Sequence, residues 1–363
     1  MNRLELIQAF DQGRTGPEAL ARIRPEFRYA KVKLTDNCNS KCITCDYWKS
    51  HHENELTMDK FQSVLEQLRA LGVEEVMFTG GEPTMRAELV PVVQHASRLG
   101  FPTIGLTTNA LSLPAAKIDQ LLDGGLTQMV LSLEGLESHD DIRGVPGNTR
   151  KVLAVLAHLS ARRAEDGPVA VKLAMTLMER NLDEIGDMIE LARQYRAVLF
   201  FNLVDRGTYF FQGIPADMMT MQDRDKLNQV LDDLVGTKER EPGLIGNTVS
   251  SLQYARRYFD DPKQAAIPCH LGYVGVDIDA NGDVYSNCWG LPPVGNIRKQ
   301  LLAEILESEA YRRRCEAMFR KECPGCSCGY ILNLAYHKQS ADLDASRGYD
   351  PVASAVGYAG TQS

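Results

Sequence analysis

Short apolar runs alternate with amphipathic stretches along the first two thirds of the chain. The runs near 30–35, 74–78, 102–107, 128–132, 169–175 and 198–204 have the length of strands. Each is followed by a helical pattern, such as TMDKFQSVLEQLRALG at 57–72 or NLDEIGDMIELARQYR at 181–196. Strand-then-helix repeated six times predicts an α/β fold with a parallel sheet, because a parallel connection needs a crossover. The repeat is one of architecture and not of sequence. In such folds ligands gather at the C-terminal ends of the strands.

After about residue 235 the pattern changes. VGVDIDANGDVYSNC at 274–288 predicts a β-hairpin turning at Asn281-Gly282, followed by a helical segment from 299 to 320. A boundary is expected at 235–265, where KEREPG (238–243) is polar and breaks periodicity. The expected division is a helical lead-in at 1–27, an α/β unit at 28–235, a second unit at 236–345 and a loosely held, small-residue-rich tail at 346–363.

Composition narrows the function. At 363 residues and 44% apolar content the chain can bury a sizeable core. Its longest apolar run, AVLFFNLV at 197–204, is interrupted by Asn202 and is far too short to cross a bilayer. The N-terminus lacks the basic-then-apolar layout of a secretion signal, which points to the cytoplasm. A net charge of −8 argues against a nucleic-acid or anionic-membrane partner and for a small molecule or one defined peptide. Nine cysteines in a reducing compartment are metal ligands, catalytic thiols or buried apolar residues, not disulfides.

Their spacing sharpens the choice. LTDNCNSKCITCDYW (34–48) places Cys38, Cys42 and Cys45 in one turn-like segment just past the first strand. A structural zinc site wants four protein ligands, and the nearby His51 and His52 read as a solvated pair. A four-iron cluster on three thiolates leaves one iron without a protein ligand, where a substrate or cofactor can bind. Zinc with a distant fourth ligand stays open as the alternative. In FTGGEP (78–83) the glycines let backbone approach a ligand, and Glu82 can accept from an ammonium; alone, the segment is also an ordinary strand-end turn.

Together, CxxxCxxC after the first strand and Gly80-Gly81-Glu82-Pro83 after the second resemble the radical S-adenosylmethionine (SAM) enzymes, over roughly residues 28–335. The resemblance implies a partial (β/α)6 TIM-like barrel and a [4Fe-4S] cluster on Cys38, Cys42 and Cys45. SAM would chelate the open iron through its amino and carboxylate groups and be cleaved to methionine and a 5′-deoxyadenosyl radical, which abstracts a substrate hydrogen. It also implies a flavodoxin- or ferredoxin-type electron donor. TTNA (107–110), with Asn109, and LSLEGLESHDDIRG (131–144) resemble further SAM contacts. By that match Ser132 and Glu134 sit near the amino-acid or ribose part of SAM and Arg143 pairs with its carboxylate. A capping serine and surface charges are the plain alternatives. Two positions depart from the family pattern: Glu134 stands where aspartate is usual, and Thr44 where an aromatic residue often precedes the third cysteine. Tyr47 and Trp48 offer apolar cover instead.

The downstream cysteines resemble the family's auxiliary-cluster extensions, the SPASM and twitch domains, carried here on a small β-hairpin plus helix. A full SPASM extension generally uses seven cysteines for two clusters, and this chain has six after residue 260. The expectation is one auxiliary [4Fe-4S] cluster on Cys269, Cys288, Cys323 and Cys326, with Cys328 competing for the last place and a zinc site on the same four as the alternative. Cys315, inside AYRRRCEAMF, reads as a packed thiol, with hydrogen donation to a substrate radical as its other reading.

The roughly 28 residues before the first strand are few for an added peptide-recognition domain, which favours a sugar, aminoglycoside or nucleoside substrate, as in natural product biosynthesis. Asn202, Asp205, Arg206, Tyr209 and Phe210 are expected near the barrel mouth. The reaction expected is oxidation at a hydroxyl-bearing carbon, with one electron passed to the second cluster. Redox-neutral decarboxylation or epimerisation, maturation of a ribosomal peptide, and non-catalytic metal binding are the alternatives.

Overall fold

The computed structural model describes residues 13–14, 16–49, 54–166, 169–204, 220–261 and 269–323. Six parallel strands carry the first part of the chain: β1 (Tyr29–Thr35), β2 (Glu75–Gly80), β3 (Thr103–Thr108), β4 (Gln128–Ser132), β5 (Ala170–Leu177) and β6 (Val198–Leu203). They lie side by side in chain order, which makes the open, partial barrel expected of six strand–helix units.

The crossovers show why these sequences fold as they do. Helix α1 (Met58–Ala70) buries Phe61, Val64, Leu65 and Leu68, an i, i+3, i+4, i+7 stripe that covers one face. Helices α2 (Leu89–Arg98), α3 (Ala115–Asp123) and α6 (Ile185–Gln194) bury similar stripes, with the short α4 (His139–Arg143) and the long α5 (Asn148–Asp166) between them. The lead-in appears, within its described part, as a single 3-10 segment at Pro17–Arg22. No described helix is long and apolar enough to cross a membrane.

Residue 235 lies inside helix α7 (Arg224–Arg240), and α8 (Val249–Tyr258) packs beside it. The segment between them belongs to the barrel edge. Leu199 N–H donates to Leu244 O and Gly246 N–H to Leu199 O, both at 2.8 Å. The Asn247 side chain accepts from Phe201 N–H at 2.7 Å and donates to Phe201 O at 2.9 Å. KEREPG is polar for a local reason: buried Lys238 donates to the carbonyls of Pro242 and Ile245, each at 2.8 Å, and so closes the helix end.

The hairpin is present as β7 (Gly275–Ile278) and β8 (Asp283–Tyr285), with β9 (Gly295–Asn296) beyond. It does not form a separate sheet. β7 pairs in parallel with β1, from Tyr29 opposite Gly275 to Val32 opposite Ile278, so one nine-stranded sheet runs from β6 to β9. The turn is set by Asp279, whose Oδ1 accepts from Asn281 and Asp283 N–H at 2.9 Å each, and by Gly282 at φ +89°. The helical segment is split into α9 (Leu302–Glu307) and α10 (Glu309–Phe319), because Ser308 is extended and caps α10 through Tyr311 N–H. The tail at 346–363 lies outside the described residues.

Candidate functional site

β1 delivers the chain to its first cysteine group, and the ends of β2, β3 and β4 surround that group. At the exit of β1, Glu55 Oε1 accepts from Thr35 Oγ1 at 2.6 Å and Asp36 N–H at 2.8 Å, while Glu55 Oε2 pairs with Arg86 Nη1 at 2.7 Å. The loop onset is thereby clamped to the turn after β2. Further along, Lys41 N–H donates to Arg143 O at 3.0 Å and Ile43 N–H to Ile142 O at 2.9 Å. The backbone between Cys38 and Cys45 therefore runs along the end of α4.

The glycines of GGEP serve this loop. A Cβ on Gly80, which holds φ +144°, would sit 2.2 Å from Thr35 O, and one on Gly81 would sit 2.2 Å from Asn37 O. Only glycine lets the two strand ends come this close; Gly81 and Glu82 N–H then donate to Thr35 and Asn37 carbonyls at 2.7 and 2.8 Å. The glycines thus admit the cysteine loop's own backbone, where sequence alone suggested a ligand.

Glu82 is likewise engaged within the protein. It is buried, and its carboxylate accepts from Thr84 N–H, Thr84 Oγ1, Thr108 Oγ1 and Asn109 N–H at 2.6–3.0 Å. Burial pushes its pKa up despite these donors. The side chain ties the end of β2 to the end of β3. Pro83 opens the 3-10 turn that this carboxylate caps. Asn109, held at that junction, donates to Asn39 Oδ1 and Ser40 Oγ at 2.8 Å and lies 4.0 Å from Cys38 Sγ.

Glu134 and Arg143 meet each other. Glu134 is fully buried; one oxygen takes Arg143 Nη2 at 2.5 Å and the other Thr176 N–H at 2.6 Å. Arg143 Nη1 lies 3.7 Å from Cys42 Sγ, and its Nε is buried with no hydrogen-bond partner among the described residues. Glu134 therefore aims the arginine at the cysteine loop. Ser132, at the end of β4, is buried beside them.

Sequence reasoning missed four members of this network. His139 Nδ1 accepts from Glu134 N–H at 3.0 Å, its Nε2 lies 2.5 Å from the Asn148 amide, and Asn181 donates to Glu134 O at 2.9 Å. Burial, with the neighbouring Arg143 charge, lowers the His139 pKa to about 3, so the ring is neutral. Glu55 is the fourth. Isolated polar residues in loops carry no periodic signal; only the fold brings them together.

The donor set suits iron and sulfur. Burial pushes the Cys38 thiol up to about 11 and the Cys45 thiol up to about 12, with Cys42 adding to both shifts and Cys38 to that of Cys45. Without a metal they hold protons; a cluster replaces those protons. No three described ligand groups converge on one point as a single ion would need. A cluster meets its three thiolates at three separate irons, which spaces the sulfurs more widely.

Of the second group, Cys269, Cys288 and Cys323 are described, and Cys326 and Cys328 lie outside the described residues. Cys269 and Cys288 pack on a small cluster of Leu271, Val274 and Met318, and Cys269 N–H donates to Met318 O at 3.4 Å near the end of α10. Cys315 is fully buried in the main core, where burial pushes its thiol pKa up. Asn202 is exposed on β6, while His51, His52, Asp205, Arg206, Tyr209 and Phe210 lie outside the described residues.

Family profiles agree with this geometry. The Radical SAM superfamily profile matches residues 32–192, and the SPASM iron-sulfur cluster-binding domain matches residues 269–329. The chain belongs to the radical SAM superfamily.

This radical SAM enzyme is 26% identical to the AdoMet-dependent heme synthase of Methanosarcina barkeri, over 81% of this chain and 89% of that protein. It is 31% identical to the GTP 3′,8-cyclase of Synechococcus elongatus over 52% of this chain, a match that spans only 59% of the cyclase. It is 28% identical to the PqqA peptide cyclase of Rhizobium meliloti, over 81% of this chain and 78% of that protein. Streptococcus suis SuiB, solved bound to precursor peptide SuiA, has the same fold: TM-score 0.64 at 15% identity, over 86% of this chain and 74% of SuiB. The enzyme uses SAM, a SAM-binding [4Fe-4S] cluster, an auxiliary cluster and a reductant.

Proposed function

We propose that this radical SAM enzyme oxidises a hydroxyl-bearing carbon of a sugar-, aminoglycoside- or nucleoside-type small molecule, and that the auxiliary cluster takes the electron released. The observation that carries the reading is the pairing of β1 with β7: the strand leading to Cys38 is hydrogen-bonded to the first strand of the hairpin whose second strand, β8, leads to Cys288. The strands that lead to the two cysteine groups thus belong to one sheet, with β7 between them. A cluster held by four cysteines has no open iron for SAM and suits electron acceptance.

In this reading Cys38, Cys42 and Cys45 hold the first cluster, and Cys269, Cys288, Cys323 and Cys326 hold the second. When bound, the first cluster and SAM supply a 5′-deoxyadenosyl radical. The chain's own residues orient and exclude water. The unspent, buried Nε–H of Arg143 suits the carboxylate of SAM, with Glu134 holding the guanidinium in place. Asn109 steadies the loop at Cys38, Ser132 lies toward the same rim, and Gly80 to Pro83 fix the loop's height above the sheet. A flavodoxin- or ferredoxin-type donor is the proposed reductant.

A peptide substrate is the second reading, favoured by the match to a PqqA peptide cyclase over 81% of this chain and 78% of that protein. The test is anaerobic turnover of the reconstituted enzyme against panels of aminoglycosides, nucleosides and short peptides, reading 5′-deoxyadenosine and product mass together. Loss of two hydrogens from a small-molecule substrate supports the proposal. Loss of carbon dioxide, unchanged mass, or turnover of peptides alone refutes it.

A further inference from the structure

Lys33 lies on central strand β1 and is only 2% exposed, a position where lysine needs a specific reason. Its ammonium donates to the Tyr47 hydroxyl. It also stands 3.7 Å from the centre of the Trp289 ring and 4.4 Å from that of Tyr47. Those two rings come from opposite halves of the molecule. Tyr47 follows Cys45 by two residues, and Trp289 directly follows Cys288. Trp289 is fixed in turn by the Tyr285 ring at 4.7 Å, whose hydroxyl lies 3.3 Å from Asp279 Oδ2. Two residues back on the same face, Lys31 pairs with buried Asp277 at 3.3 Å.

We infer that Lys33, clamped between Tyr47 and Trp289, is a charge shared by both cysteine groups, and that its ammonium raises the reduction potentials of both clusters. Reducing a cluster by one electron adds a negative charge, and a cation buried nearby stabilises the reduced form more than water would. A lysine serving only the fold would need neither ring to come from beside a cysteine.

The charge is also adjustable. Burial lowers the Lys33 pKa to about 8, against the opposing pull of Asp36 on the β1 loop and of Asp279 and Asp277 on the β7 side, with Lys31 adding to the lowering. The Tyr47 hydroxyl faces it from the cysteine loop. As pH rises through that value the ammonium is lost, and both potentials should fall.

The inference concerns potentials measured without substrate, so its failure would leave the substrate reading untouched. The test is a spectroscopically monitored redox titration of the anaerobically reconstituted full chain, without SAM or substrate, for the wild type, Lys33→Met and Lys33→Arg. Lys33→Met should shift both cluster potentials downward, and Lys33→Arg should leave them near the wild-type values. Unchanged potentials in Lys33→Met, a shift of one cluster alone, or an equal shift in Lys33→Arg would overturn the inference. If Lys33→Met does not assemble clusters, titrations from about pH 7 to about pH 9.5 decide. Wild-type potentials should fall across that range while those of Lys33→Arg stay level; a wild type that stays level overturns it.

Discussion

The two cysteine groups are built in opposite ways. Around Cys38, Cys42 and Cys45 the protein supplies a largely buried polar frame of Glu55, Glu82, Asn109, Glu134, His139 and Arg143, hydrogen-bonded across strand and helix ends. Around Cys269 and Cys288 it supplies a small apolar patch of Leu271, Val274 and Met318. The first frame can hold its shape before iron arrives, because the ends of β1 to β5 all contribute to closing it. The second shows no comparable polar frame among the described residues, although β7 anchors its hairpin to the main sheet. The group that must leave an iron open for SAM is the one whose geometry the fold enforces.

The sharpest way to break the comparison is to remove one ligand from each group. Cys42→Ala should abolish SAM cleavage, since two thiolates cannot hold a cluster with an open iron; retained 5′-deoxyadenosine formation would refute the assignment. Cys323→Ala should leave the first cluster measurable by iron count and spectroscopy while the second is lost.

Next in size is the frame itself. Glu82→Ala strips four buried donors of their acceptor, and should cost the iron-free protein about 3 kcal/mol in denaturant unfolding. A cost near zero would mean that the frame forms only with iron bound.

A gentler probe is pH. The His139 pKa of about 3 in the folded protein lies below that of an ordinary histidine, so the unfolded chain takes up a proton first as pH falls. Stability should therefore drop from about pH 6.5 downward, at up to about 1.4 kcal/mol per pH unit, and His139→Gln should flatten that slope in urea midpoints. An unchanged slope would place the histidine outside the frame.

These effects rest on residues that differ greatly in how far sequence exposes them. The strand–helix alternation and the three-cysteine spacing are periodic or dense signals, and the sheet order follows from them. The β1–β7 pairing does not, because four short buried residues at 275–278 look the same whether they join the large sheet or stand alone. Glu82 and Glu134 read as ligand-facing carboxylates; only the fold shows that backbone amides, hydroxyls and Arg143 already surround them. KEREPG looks like a linker since the buried role of Lys238 is made by carbonyls that its own sequence does not announce.

The smallest expected effect separates packing from chemistry in the second group. Cys315→Ala should cost about 1–2 kcal/mol of stability through a small cavity. It should leave iron content and SAM cleavage unchanged; lost iron would make Cys315 a ligand.

The central claim is a division of labour, in which SAM meets the first cluster and not the second. It is tested most directly by electron–nuclear double resonance on the reduced protein with isotopically labelled SAM. The account predicts that labelled SAM couples to the cluster that survives in Cys323→Ala. It predicts no coupling in the Cys38→Ala, Cys42→Ala, Cys45→Ala triple variant, whose remaining iron sits in the second cluster. Coupling in the triple variant, or its absence in Cys323→Ala with the first cluster intact, would contradict it.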